Sequence, residues 1–75
     1  MENVIEARHL QIERKNFHFE VRENERGTFL RITEEAHGRR NTIIVPSTGL
    51  SEFTALINDA LAASTRGSAA VVTTQ

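Results

Sequence analysis

Cysteine, tryptophan and tyrosine are all missing from these 75 residues, which hold a single proline and a single methionine. Without cysteine no disulfide can staple the chain, and nothing points to an oxidising compartment. A core this short rarely yields more than about 3–5 kcal/mol of net stability unless a disulfide, a metal or a partner subunit adds to it. The missing staple is therefore expected to be a second chain. No apolar run approaches the ~20 residues that span a bilayer, and Met1-Glu2-Asn3-Val4-Ile5-Glu6 has neither the basic start nor the apolar middle of a signal peptide. The expectation is one small soluble domain that uses no membrane and stays inside the cell, in the nucleus or cytoplasm of a eukaryote or the cytoplasm or nucleoid of a bacterium.

A positive excess is lacking too. The net charge of −1 argues against a general nucleic-acid coat, which normally carries a clear basic surplus. The distribution is less even than the total. Residues 14–40 hold Arg14, Lys15, Arg22, Arg26, Arg31, Arg39 and Arg40 against Glu20, Glu23, Glu25, Glu34 and Glu35, a net +2, whereas residues 1–13 stand at −2 and 41–75 at −1.

Signatures of chemistry are equally scarce. His9, His18 and His37 fall in different predicted elements, with no His-x-x-x-His and no acidic ligand at metal spacing. There is no nucleophile elbow or Ser-His-Asp arrangement, and no Gly-x-x-x-x-Gly-Lys-Ser/Thr run to cradle a triphosphate. The chain is expected to be no enzyme, to need no cofactor or metal, and to take no small-molecule substrate.

What is present is period-two alternation. Leu10 and Ile12 alternate with His9, Gln11 and Glu13, which predicts a first strand over about residues 5–13, followed by a turn at Arg14-Lys15-Asn16. Phe17, Phe19 and Val21 alternate with His18, Glu20 and Arg22 as a second strand. Asn24 to Gly27 reads as a hairpin loop in which Gly27 supplies a positive φ. Phe29 to Thr33 is the third strand. Glu34 to Asn41 reads as a polar, mobile loop, and Thr42-Ile43-Ile44-Val45 as a fourth strand covered on both faces.

Pro46 stops that strand, and Ser47, Thr48 or Ser51 is placed to cap a helix. Leu50, Phe53, Leu56, Ile57, Ala60 and Leu61 recur at helical spacing, so the helix is amphipathic and must dock on a sheet. The domain is predicted over residues 1–62, with 63–75 as a disordered tail of small and polar residues. The order is ββββα: an α+β fold with an antiparallel four-stranded sheet whose other face stays open. Phe17, Phe19, Val21, Leu30 and Ile32 should lie under the helix. His18, Glu20, Arg22, Phe29, Arg31 and Thr33 should lie on the open face, where a flat ring beside cations suits unpaired nucleic-acid bases.

The run Phe17-His18-Phe19-Glu20-Val21-Arg22-Glu23-Asn24-Glu25-Arg26-Gly27-Thr28-Phe29-Leu30-Arg31-Ile32-Thr33-Glu34, then Ile43-Ile44-Val45-Pro46, then Gly49-Leu50-Ser51-Glu52-Phe53, closely resembles one PUR repeat of the Pur-alpha family. The resemblance covers about residues 8–62. It implies a ββββα repeat that intertwines with a second repeat, here another copy of the chain, into a Whirly-like PUR domain with each helix over its partner's sheet. It also implies binding of single-stranded DNA and RNA, a preference for purine-rich and guanine-rich tracts, and separation of short duplexes without ATP.

By the same resemblance Arg22 and Asn24 take the family's basic and asparagine positions, Phe29 its base-stacking position and Arg31 a basic position beyond it. Arg26 fits the pattern, and Gln11, Arg14 and Lys15 stand where the first strand ends in polar and basic residues near the nucleic acid. His18 and Thr28 depart from it, since family repeats often have tyrosine and a basic residue there. The rival reading is a protein-interaction and dimerisation module without nucleic-acid activity, in which Phe29 anchors an interface.

Overall fold

The computed structural model describes residues 2–67. Four strands, β1 (Asn3–Ile12), β2 (Lys15–Asn24), β3 (Gly27–Ala36) and β4 (Arg39–Pro46), lead through a 3₁₀ turn at Ser47–Gly49 into one helix, α1 (Leu50–Gly67). The strands form one antiparallel sheet in the order β1-β2-β3-β4, so each neighbour in sequence is a neighbour in space. This is the expected ββββα arrangement.

Three tight turns set the register. Glu25 and Arg26 close β2 to β3, with Asn24 paired to Gly27; the Arg26 amide donates to Asn24 Oδ1 at 2.8 Å, and Gly27 has φ +131°, the conformation its position requires. The polar loop expected over residues 34–41 is instead a two-residue turn, His37-Gly38, with φ +54° and +75°. Two positive φ values in succession match the twist of the flanking strands and make a tight hairpin. Both strands therefore run on to it, held by Arg40 on Glu35 and by Asn41 Nδ2 donating to Glu34 at 3.4 Å. The first turn is likewise shorter than expected: Glu13, with φ +54°, and Arg14 form it, while Lys15 and Asn16 belong to β2.

Alternation along each strand separates two faces. The register places Phe17, Phe19 and Val21 of β2, Leu30 and Ile32 of β3, Ile43 and Val45 of β4 and Leu10 of β1 on one face, the split expected from the sequence. The helix does not lie on that face. It adjoins the 3₁₀ turn and makes no substantial packing with the strands of its own chain, which corrects the expectation that it docks there. Pro46 is extended and Ser47–Gly49 is the link through which the chain enters α1.

Burial is correspondingly sparse. Among the described residues Val45, at 9 % exposure, is the one buried apolar side chain, while Leu56, Ile57 and Leu61 on the helix are 67 %, 54 % and 62 % exposed. Ile43 and Ile44 are each about half exposed, so the expected cover on both faces of β4 is not supplied by this chain.

No side-chain cap forms at the 3₁₀ turn, where Ser47 offers its carbonyl to the Leu50 amide. Residues 63–67, expected to be disordered, are helical: Ser64 and Thr65 hydroxyls donate to the carbonyls of Leu61 and Ala62 at 2.8 and 2.9 Å, local bonds that fit inside a helix, and Ala62 and Ala63 favour it. The rest of the expected tail lies outside the described residues. α1 is not long and apolar enough to cross a membrane.

Candidate nucleic-acid interface

Cross-strand pairing arranges the other face of the sheet in rows. Val4, Arg22, Phe29 and Pro46 form the row nearest the β2–β3 hairpin; Ala7, Glu20, Arg31 and Ile44 form the next. Beyond them come His9, His18, Thr33 and Thr42, then Gln11, Asn16, Glu35 and Arg40. Phe29 thus stands directly across from Arg22 and Pro46. No other phenylalanine is on this face, because Phe17 and Phe19 have the opposite parity.

Electrostatics on this face are balanced rather than simply basic. Arg22 Nη1 donates to Glu20 Oε1 at 2.5 Å, and Arg31 Nη1 lies 3.8 Å from the same oxygen. The Arg22 side chain is only 18 % exposed. Its Nε sits 3.0 Å from Glu2 Oε1, close enough for charge attraction, yet that buried nitrogen has no aligned hydrogen-bond acceptor. Proximity and alignment disagree here; at this distance the attraction holds without the directional bond.

At the other end, Arg40 Nε and Nη2 donate to Glu35 Oε2 at 3.0 and 2.6 Å, and His18 Nε2 lies 3.4 Å from Glu35 Oε1. Arg40 first and His18 second hold the Glu35 carboxyl below its ordinary value of 4.5. The His9 and His18 rings stack at 4.8 Å with 30° between their planes, and the Thr33 and Thr42 hydroxyls meet at 3.2 Å.

Arg22, Phe29 and Arg31 come together at the hairpin end, with Asn24 and Arg26 on its rim. An open pocket of about 430 Å³ there is lined by Asn24, Arg26, Phe29, Ile44 and Pro46 among others. Asn24 Oδ1 is engaged by the turn amide, so its NH₂ is the group left to meet a ligand acceptor. Arg26 has no carboxylate partner among the described residues.

Gln11 and Arg14 are at the opposite end. Gln11 is on the open face and donates to the Glu13 carbonyl at 3.2 Å, and Arg14 is exposed in the first turn. Lys15 is on the apolar face, 3.1 Å from Glu34. Its ammonium, ahead of Asn41, lowers the Glu34 carboxyl from its usual range. Lys15 therefore does not share a surface with Phe29.

Arg40, His9 and Glu20 escaped the sequence-based site. Arg40 was hidden by reading 34–41 as a loop; carrying the β3–β4 alternation one hairpin further puts it on the open face. His9 and Glu20 were visible as outward positions but had no partner until the register paired them.

An antiparallel sheet with one polar face, carrying a ring and guanidinium groups in adjacent rows, is the class of surface that meets unpaired nucleic acid. A family model described as PurA ssDNA and RNA-binding protein matches residues 1–64, and the chain belongs to that family. It is also 51% identical over 49 residues to the Transcription factor Pur-alpha 1 of Arabidopsis thaliana, a match covering 65% of this chain and 17% of that protein. The chain thus spans a small part of that relative.

Proposed function

We propose that the chain binds single-stranded DNA or RNA on the open face of its sheet, with a preference for purine-rich and guanine-rich strands, as a homodimer in which each helix covers the partner's sheet. The observation that carries this reading is the cross-strand pair of Arg22 and Phe29, with Arg31 two residues beyond Phe29 on the same strand and face.

Phe29 supplies a stacking surface worth about 1–3 kcal/mol per base. Arg22, Arg31 and Arg26 meet phosphates or base edges, and the Asn24 amide donates to a purine acceptor. Gln11 and Arg14 extend the path toward the far end; Lys15 serves the pair with Glu34 and has no direct part in it. Because only unpaired strands are held, short duplexes are drawn apart by mass action without ATP. A part in transcription regulation is proposed after the name of the plant relative.

Two uncovered apolar surfaces support the dimer: the helix stripe of Leu56, Ile57 and Leu61, and the sheet face that carries Ile43. Each large side chain brought out of water contributes about 1.5–3 kcal/mol, and a second copy offers both complementary surfaces at once.

Titration of a fluorescent guanine-rich single strand tests the reading. With roughly four phosphates neutralised per chain, log K against log salt should fall with a slope of about −3. Absence of salt-dependent binding would favour the interaction module instead, and light scattering at the mass of one chain would remove the dimer.

A further inference from the structure

The two arginines best placed to meet a strand are already occupied. Glu20 lies on the open face directly opposite Arg31 in the register and two residues before Arg22 on the same strand. Both guanidinium contacts fall on a single oxygen, Oε1, at 2.5 Å from Arg22 and 3.8 Å from Arg31. The carboxylate therefore sits in the row beside Phe29, among the cations that a phosphate would need.

We propose that Glu20 is an internal counterion of the binding face: it neutralises Arg22 and Arg31 in the free protein and is displaced when a nucleic-acid phosphate takes its place. This rests on the open face being the binding face. A guanidinium fork donates to carboxylate and phosphate oxygens with similar geometry, so the exchange needs no rebuilding of the sheet. Glu20 is about one-third exposed and Arg31 more so, at 41 %, so the longer contact is weak and exchangeable, while the part-buried Arg22 contact is the firmer of the two. Each exchange subtracts from affinity, because the freed carboxylate loses its partners and stands close to the incoming phosphate.

The consequence is specific in sign. Glu20→Gln keeps the shape and an acceptor for Arg22 but removes the competing charge. It should bind a guanine-rich single strand about two- to five-fold tighter at low salt, with a steeper fall of log K as salt rises, so that the advantage closes at high salt. Glu34→Gln makes the same change of net charge on the opposite face and should leave both quantities at their wild-type values.

Weaker or unchanged binding by Glu20→Gln, or an equal gain in Glu34→Gln, would overturn the proposal. So would a Glu20→Gln protein that loses the wild-type circular dichroism or oligomeric state, because the carboxylate would then belong to the fold. A wild-type chain that binds no strand would sink the functional reading itself; a wild type that binds while Glu20→Gln gains nothing sinks this inference alone.

Discussion

The same four strands carry two faces made by opposite rules. On one, Phe17, Phe19, Val21, Leu30, Ile32, Ile43 and Val45 form an aliphatic and aromatic field with charged residues at its margins, such as the Lys15–Glu34 pair. On the other, a single phenylalanine and the apolar Val4, Ala7, Ile44 and Pro46 stand among arginines, histidines, threonines and glutamates, almost every charge matched by a neighbour. A period of two lets one sequence write both without compromise. The first face needs cover, and its own helix does not give it; the second has most of its charges paired and can remain in water. A chain so divided suits closure by a second copy on one side and a ligand on the other.

Breaking the apolar side should have the largest effect. Leu61→Asp puts a charge into the helix stripe, and on the dimer reading it should remove dimerisation at a cost of about 3 kcal/mol or more, seen as a fall to monomer mass in light scattering together with lost thermal cooperativity. A dimer of wild-type stability would show that the stripe faces water.

Phe29→Ala breaks the open side without touching the other. Single-strand binding should weaken by about 1–3 kcal/mol while the dimer and the salt slope stay as they are. A changed slope with unchanged affinity would contradict a stacking role.

Charge variants sharpen the contrast further. Arg31→Gln should lower the magnitude of the salt slope by about 0.7, whereas Lys15→Gln, on the far side of the sheet, should leave it unaltered. Equal effects in anisotropy titrations would mean that the strand does not distinguish the faces.

The smallest effect is acid sensitivity. Glu34 and Glu35 are held below 4.5 by Lys15 and Arg40 respectively, so each contributes stability that is full above that ordinary value and is lost as pH falls through the lowered one. Both side chains are about one-third exposed and well screened, so thermal unfolding from pH 6 down to pH 3 should show a slight loss confined to the region below about pH 4.5. Glu35→Gln should flatten half of it.

Much of this was legible in the chain itself. Alternation from His9 to Thr33 fixes which side chains share a face, and Gly27 marks its turn because a positive φ there needs glycine. His37-Gly38 was not legible as a tight turn, since histidine is not among the residues that usually open one; the strand ends were misplaced with it and Arg40 was missed. The helix ran past its expected end because serine and threonine, read as loop-formers, bond back to carbonyls one turn earlier. Lys15 shows the limit of the resemblance: it stands there beside Gln11 and Arg14 near the end of the first strand, but strand parity puts it on the other face, paired with Glu34. Spacing puts Glu20 and Arg22 on one face of β2, but that they touch depends on side-chain reach.

Methyl chemical shifts recorded while a guanine-rich single strand is added would test the division of labour most directly, since both faces report in one experiment. Shifts concentrated at Thr33, Thr42, Ile44 and Ala7, with Val21, Leu30, Ile32 and Ile43 unmoved, are expected. Shifts led by the second group would place the strand on the apolar side and contradict the assignment of the open face.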